Sequence, residues 1–209
     1  MGEQSIVCCS TETEQNVSIT VKKPNVRYLN RFLRSKCCTD ILGAGVFQPT
    51  ISPAKEITEA MALVRAVQRL LPFKTSAVRD KHIIVVGDGS TPRLGACLAF
   101  FSPHYVVSVD PRLRQGGGWS LPDGRIIDRL YTVRKKIQDI QAVPPDILVL
   151  PHAHVTYRDF AHLAPRLIIA MPCCKDFSIP SAHYLMIERY NDWGVLSPKR
   201  EIAIYERRQ

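Results

Sequence analysis

The clearest periodicity in the chain begins at Pro53. From there Ile57, Ala60, Met61, Val64, Val67, Leu70 and Leu71 recur at three- and four-residue spacing, the repeat of one helical face. Ser52 stands where it can cap that helix, Pro53 suits its first turn, and Pro72 is expected to end it. Then the period shortens. His82-Ile83-Ile84-Val85-Val86 is a compact β-branched run broken by Gly87, and a helical segment follows from Pro92 to Phe101. Further strand-length runs occupy Tyr105–Val109, Ile126–Thr132, Asp146–Leu150 and Leu167–Met171, with a basic helix expected around Arg134–Ile140. Apolar runs of this length between Gly and Pro bounds read as strands covered on both faces. Their alternation with helices implies parallel pairing through right-handed crossovers. The end of the chain breaks the pattern, because Tyr184–Tyr190 and Glu201–Tyr205 are joined by a segment too short for a crossover helix and must pair antiparallel. The expected fold class is therefore α/β, a Rossmann-like three-layer sandwich whose mostly parallel seven-stranded sheet ends in an antiparallel C-terminal strand.

Residues 1–25 are polar and carry only a short alternating run at Val17–Val21. The predicted organisation is an N-terminal arm over residues 1–52, partly disordered and basic, followed by an α/β domain over residues 53–209. A chain of 209 residues, 45% of them hydrophobic, can bury one substantial core but is short for two ordinary domains. No run approaches the roughly 18 apolar residues a membrane helix needs, so no membrane span is expected. The first residues lack the basic start and apolar middle of a secretory signal, and Ile6 stands where a myristoylation signal wants Ser or Thr. The seven cysteines fall as three adjacent pairs plus Cys97, an odd total without the spacing of a disulfide scaffold. A cytoplasmic or other reducing intracellular compartment is the simpler expectation.

The formal net charge of +9 changes the picture of possible partners. The excess is spread over Lys22–Lys36, Arg129–Lys136 and Lys199–Arg208, a surface suited to RNA or another polyanion, although an ordinary solvated basic surface has the same composition.

The chemistry concentrates at the ends of the apolar runs. Val85-Val86-Gly87-Asp88-Gly89-Ser90-Thr91-Pro92 places two glycines at the carboxyl edge of the first strand, where a ligand can approach without meeting a Cβ. Asp110 ends the next strand, where a carboxylate can accept both hydroxyls of an adenosine ribose. Pro92 occupies the position at which a nicotinamide dinucleotide fold favours a third glycine, and the Lys-Ser/Thr ending of a P-loop is absent. An adenosine-containing ligand without a pyrophosphate fits this order best.

These features resemble the class I S-adenosylmethionine-dependent methyltransferases. The resemblance covers residues 54–206, with Val85–Gly95 as the cofactor loop, Val107–Asp110 as the ribose strand, and Tyr190–Tyr205 as the reversed closing pair. It implies S-adenosylmethionine as cofactor, with Gly87 and Gly89 along its amino-acid portion, Asp88 and Ser90 at its polar groups and Asp110 on the ribose. Gly-Asp-Gly-Ser-Thr-Pro-Arg departs from the commoner acidic-x-Gly-x-Gly-x-Gly form of that family.

Two further loops should meet at the same sheet edge: Pro151-His152-Ala153-His154 and Pro172-Cys173-Cys174-Lys175-Asp176. His152 and His154 are the candidate catalytic residues, because a neutral imidazole takes a proton near pH 7. A helix cap and a solvated ring are the plainer alternatives. The set His152, His154, Cys173 and Cys174 contains zinc-type donors, but adjacent thiols lack knuckle spacing and no metal is assigned. Trp119 and Trp193 are candidates for stacking surfaces or for hairpin packing. Arg112 and Arg114 follow the ribose strand, where a substrate phosphate could lie. Two functions follow from these residues: a methyltransferase with an unassigned acceptor, RNA among the candidates, or a methyltransferase-like module without activity that binds nucleic acid or a protein.

Overall fold

The computed structural model describes residues 5–6, 19–20, 25–48, 50–71, 81–141, 143–173 and 177–208. Pro72, Cys174 and the first two cysteines lie outside them. Ser5–Ile6 and Ile19–Thr20 form a short antiparallel ladder. The rest builds in order α1 (Arg27–Leu33), α2 (Cys38–Gly43), α3 (Pro53–Leu70), β1 (His82–Val86), α4 (Arg93–Phe101), β2 (Tyr105–Val109), β3 (Leu130–Val133), β4 (Ile147–Pro151), α5 (Tyr157–Phe160), β5 (Leu167–Met171), β6 (Tyr184–Asn191) and β7 (Glu201–Arg207).

Seven strands make one sheet in the order β3-β2-β1-β4-β5-β7-β6. All neighbours from β3 to β5 pair in parallel, whereas β7 runs antiparallel to both β5 and β6. The chain winds outward from β1 in one direction and from β4 in the other, so a crevice opens at their carboxyl ends, where such folds place ligands. Seven strands with the last one reversed is the arrangement expected from the sequence, and it is the Rossmann-like class I methyltransferase fold.

Period-2 burial sorts the strand residues into two cores. Ile83, Val85, Ile147, Val149 and Ile169 face α1, α3 and α4, while Ile84, Val86, Leu148, Leu150 and Ile168 face the opposite side. The first layer is thick. Met61, Leu63 and Val64 of α3 are fully buried, and each such side chain contributes about 1.5–3 kcal/mol by leaving water. The second layer is thin, covered by α5, two 3-10 turns and Tyr184.

Several local expectations are corrected. The segment Arg134–Ile140 holds one 3-10 turn, Ile137–Asp139, in place of a helix. It offers the core only Ile137 and Ile140 before Pro144 and Pro145, too little apolar face for more than one turn. Strand β3 starts at Leu130, because Arg129 adopts φ 60° and breaks the extension toward Ile126. Ser52 makes no side-chain cap to α3. The segment read as an arm packs on the domain from residue 27 onward: Tyr28, Phe32, Ile41, Val46 and Phe47 belong to the first core. Tyr28 donates its hydroxyl to the buried Asp192 carboxylate beyond β6, and Arg27 pairs with the same group. Burial first, then that hydrogen bond, pushes the Tyr28 phenol well up.

Candidate functional site

The β1–α4 turn is built around a buried carboxylate. Gly87 and Gly89 adopt φ +85° and +87°, a conformation that L side chains rarely take. Between them Asp88 turns inward, with Oδ1 accepting from the Leu94 N–H (2.8 Å) and Oδ2 from the Gly95 N–H (2.9 Å) and the Ser108 hydroxyl (2.8 Å). This carboxylate satisfies the first amides of α4 and ties them to β2, which Pro92 cannot do. Burial holds its carboxyl above the usual range, opposed by those hydrogen bonds and by Arg93.

Asp110 is equally engaged. It is buried, its Oδ2 accepts from the Gly89 N–H (2.8 Å) and its Oδ1 from the Arg112 N–H (2.8 Å). The residue predicted to meet ribose hydroxyls thus holds the glycine turn against the end of β2. Ser90 offers its carbonyl to the Arg114 N–H (3.0 Å), and neither Ser90 nor Asp110 lines the cavity below.

A cavity of about 520 Å³ opens at the crevice where strand order reverses. Of the residues singled out in the sequence, Gly87, Asp88, Gly89, His152, His154, Cys173 and Arg112 line it. A row of alternating charges that the sequence did not announce crosses it. Arg93 Nη1 lies 3.0 Å from Glu56 Oε2, Lys55 Nζ 3.5 Å from Glu56 Oε1 and 3.7 Å from Glu59 Oε1, and Glu59 Oε1 3.0 Å from His152 Nε2. Three members, Lys55, Glu56 and Glu59, come from the first turns of α3. Glu59 is the signal that was there to find, since a glutamate inside an apolar helical face is rarely buried without a partner.

His152 has φ 51°, a strained backbone for a residue with a side chain, and its ring is directed to Glu59. His154 instead meets the next loop: Cys173 Sγ lies 3.5 Å from its Nε2 and 3.5 Å from the His152 carbonyl oxygen. Lys199 Nζ donates to the Cys173 carbonyl at 2.7 Å. The structure therefore brings both histidines to one cavity but gives them separate partners, a carboxylate for one and a thiol for the other. Among the described residues no group of three or more His, Cys, Asp or Glu is arranged to hold a metal ion.

The tryptophans part ways. Trp119 is buried and donates Nε1–H to the Ala44 carbonyl (3.0 Å), which makes it packing for the α2 turn. Trp193 is exposed beneath the Arg200 guanidinium, 4.6 Å from the ring centroid. No helix among the described residues is long and apolar enough to cross a membrane.

No family model matches the sequence, and no curated protein does. Among solved structures, MtNAS in complex with MTA and tNA aligns at 13% identity over 87% of this chain and 75% of its own, with a TM-score of 0.48. A 16S rRNA (adenine(1408)-N(1))-methyltransferase from Catenulisporales acidiphilia, solved with its cosubstrate SAM, aligns at 12% identity over 70% of this chain and 88% of its own, with a TM-score of 0.37. An O-methyltransferase family protein from Burkholderia thailandensis aligns at 13% identity over 88% of this chain and 68% of its own, again with a TM-score of 0.37. The assignment of the fold rests on the strand order and the reversed β7.

Proposed function

We propose that the chain is an S-adenosylmethionine-dependent methyltransferase whose cofactor enters the cavity at the β1–β4 crevice. The observation that carries this reading is the joint presence there of the two-glycine turn and the charge row Arg93–Glu56–Lys55–Glu59. The amino-acid end of S-adenosylmethionine carries one carboxylate and one ammonium, and a row of alternating sign can meet both. The cations suit the carboxylate, and Glu56 or Glu59 suits the ammonium. Gly87 and Gly89 keep the floor of the cavity free of Cβ atoms on that side. Asp110 acts from behind, fixing the Gly89 amide. Cofactor and acceptor brought into line supply most of the rate in such a site, with His152 or His154 taking the acceptor's proton.

An anionic acceptor fits the rim, where Arg112 and Lys199 stand at the mouth of the cavity in a chain of net charge +9. RNA is the acceptor class this charge favours.

Calorimetric titration with S-adenosylmethionine tests the cofactor directly: saturable binding is expected, weakened in Asp110→Ala by loss of the anchored turn. No heat at millimolar ligand, together with no co-purifying cofactor by mass spectrometry, removes the proposal. One observation favours the second reading, a module without methyl transfer. The space beside Gly89 already holds the end of the Arg93 side chain, whose Nη2 lies 2.5 Å from where a Cβ would stand. RNA retention that falls with salt, without transfer of label from methyl-labelled cofactor, would select that reading.

A further inference from the structure

His154 and Cys173 line two cavities at once. On one side is the crevice described above; on the other is a cavity of about 610 Å³ between the loop after β4 and the segment leading to β6, walled by Tyr157, Phe177, Pro180 and Arg158. Tyr157 is held rigid there, stacked on His183 at 5.7 Å and edge-on to Phe160 at 5.7 Å. Aromatic side chains fixed beside an arginine suit a flat conjugated ring more than a flexible chain. The partition between the two cavities is a half-buried thiol with an imidazole 3.5 Å away and a lysine ammonium bound to its own carbonyl. A thiol next to an imidazole and a fixed cation is the setting in which the nucleophilic thiolate is stabilised.

We propose that Cys173 is the nucleophile of the site and that the second cavity holds its target, a planar conjugated ring of nucleobase size. His154 Nε2 takes the thiol proton, the sulfur bonds to an electrophilic ring carbon, and the displaced π pair moves to the neighbouring ring atom. Return of the proton reverses the addition. The last step alone rests on the methyltransferase reading: the enriched ring atom faces the first cavity and attacks the sulfonium methyl. Loss of that atom's proton to water then expels the thiolate and restores the ring.

The test uses the full chain without cofactor, in a Cys174→Ser background so that one thiol of the pair is read. Iodoacetamide labelling is followed by peptide mass spectrometry across about pH 5 to 9, with half-buried Cys37 as internal reference. At pH 7 Cys173 is expected to react about tenfold faster than Cys37, the gain from moving a thiol of ordinary pKa to one mostly ionised near neutrality. His154→Gln should remove most of that advantage and shift the profile to higher pH. Saturating cytidine should slow labelling of Cys173 and leave Cys37 unchanged. Equal rates for the two thiols in the wild-type protein overturn the nucleophile without requiring any variant to fold. An unchanged ratio in a folded His154→Gln protein overturns the role of the imidazole, and absence of protection by cytidine overturns the ring-binding cavity. Because no cofactor is added, these failures are separate from a failure to bind S-adenosylmethionine.

Discussion

Replacing Gly87 by alanine probes the close approach on which the cavity floor depends. A Cβ at Gly87 would lie 2.8 Å from the Ala153 Cβ and 3.0 Å from the Ala153 Cα, so the obstacle is backbone that cannot swing aside. The φ of +85° adds about 1–2 kcal/mol for any L side chain. Forcing a methyl into packed surroundings costs about 1–3 kcal/mol more. The sum, roughly 2–5 kcal/mol, should lower the melting temperature of a domain this size by roughly 4–20 °C. Gly117 supplies the control: its φ is +94° with nothing within 4 Å of a built Cβ. Gly117→Ala should therefore carry only the backbone part, about 1–2 kcal/mol. Urea midpoints of the two variants, measured in parallel, give the contact part by difference. Gly87→Ala costing no more than Gly117→Ala would refute the reasoning, since the loop bearing His152 and His154 would then be free to retreat.

Three other substitutions address the scaffold. Asp88→Ala strips the Leu94 and Gly95 amides and the Ser108 hydroxyl of their buried acceptor and should cost at least ~2 kcal/mol by chemical denaturation; a smaller loss would mean that water replaces the carboxylate. Asp192→Ala leaves the buried Tyr28 hydroxyl without its acceptor and should cost about 1–3 kcal/mol, with residues 25–48 cut faster in limited proteolysis. Asp146→Asn tests pH dependence. Burial acts to raise that carboxyl, but the His82 N–H and Lys81 outweigh it and hold the folded value below the usual one. The stability it brings is present above the ordinary carboxylate pKa of about 3.9 and is lost as pH falls through the folded value. The gap between wild type and variant should accordingly be full near about pH 6 and close in stronger acid, and a gap independent of pH would contradict it.

The sheet was legible because its strands are covered on both faces. Ile83–Val86, Ile147–Leu150 and Leu167–Met171 have no polar face, and the missing crossover between β6 and β7 dictates antiparallel pairing. What escaped was structure held by distant partners. Helices α1 and α2 are too short for a clear periodicity and exist through contacts with α3 and with Asp192, which local pattern does not encode. At the site, sequence order placed Gly87, Gly89, His152 and His154 at one edge, and the cavity contains all of them. It did not reveal that the carboxylates of Asp88 and Asp110 would be turned inward to serve the loop's own amides. Nor did it reveal that α3 would bring Glu59 to His152, a pairing across 93 residues.

The ties between Tyr28 and Asp192, and between the Leu196 N–H and Thr58 at 3.1 Å, join segments 164 and 138 residues apart. Both anchor the bend that carries Ser197 and Lys199 to the cavity. Loop closure over such separations is slow and is rewarded only once the central strands are in place. The mouth of the crevice is thus finished after its floor, and a chain caught partway in folding would present the glycine turn before it had any rim with which to choose a ligand.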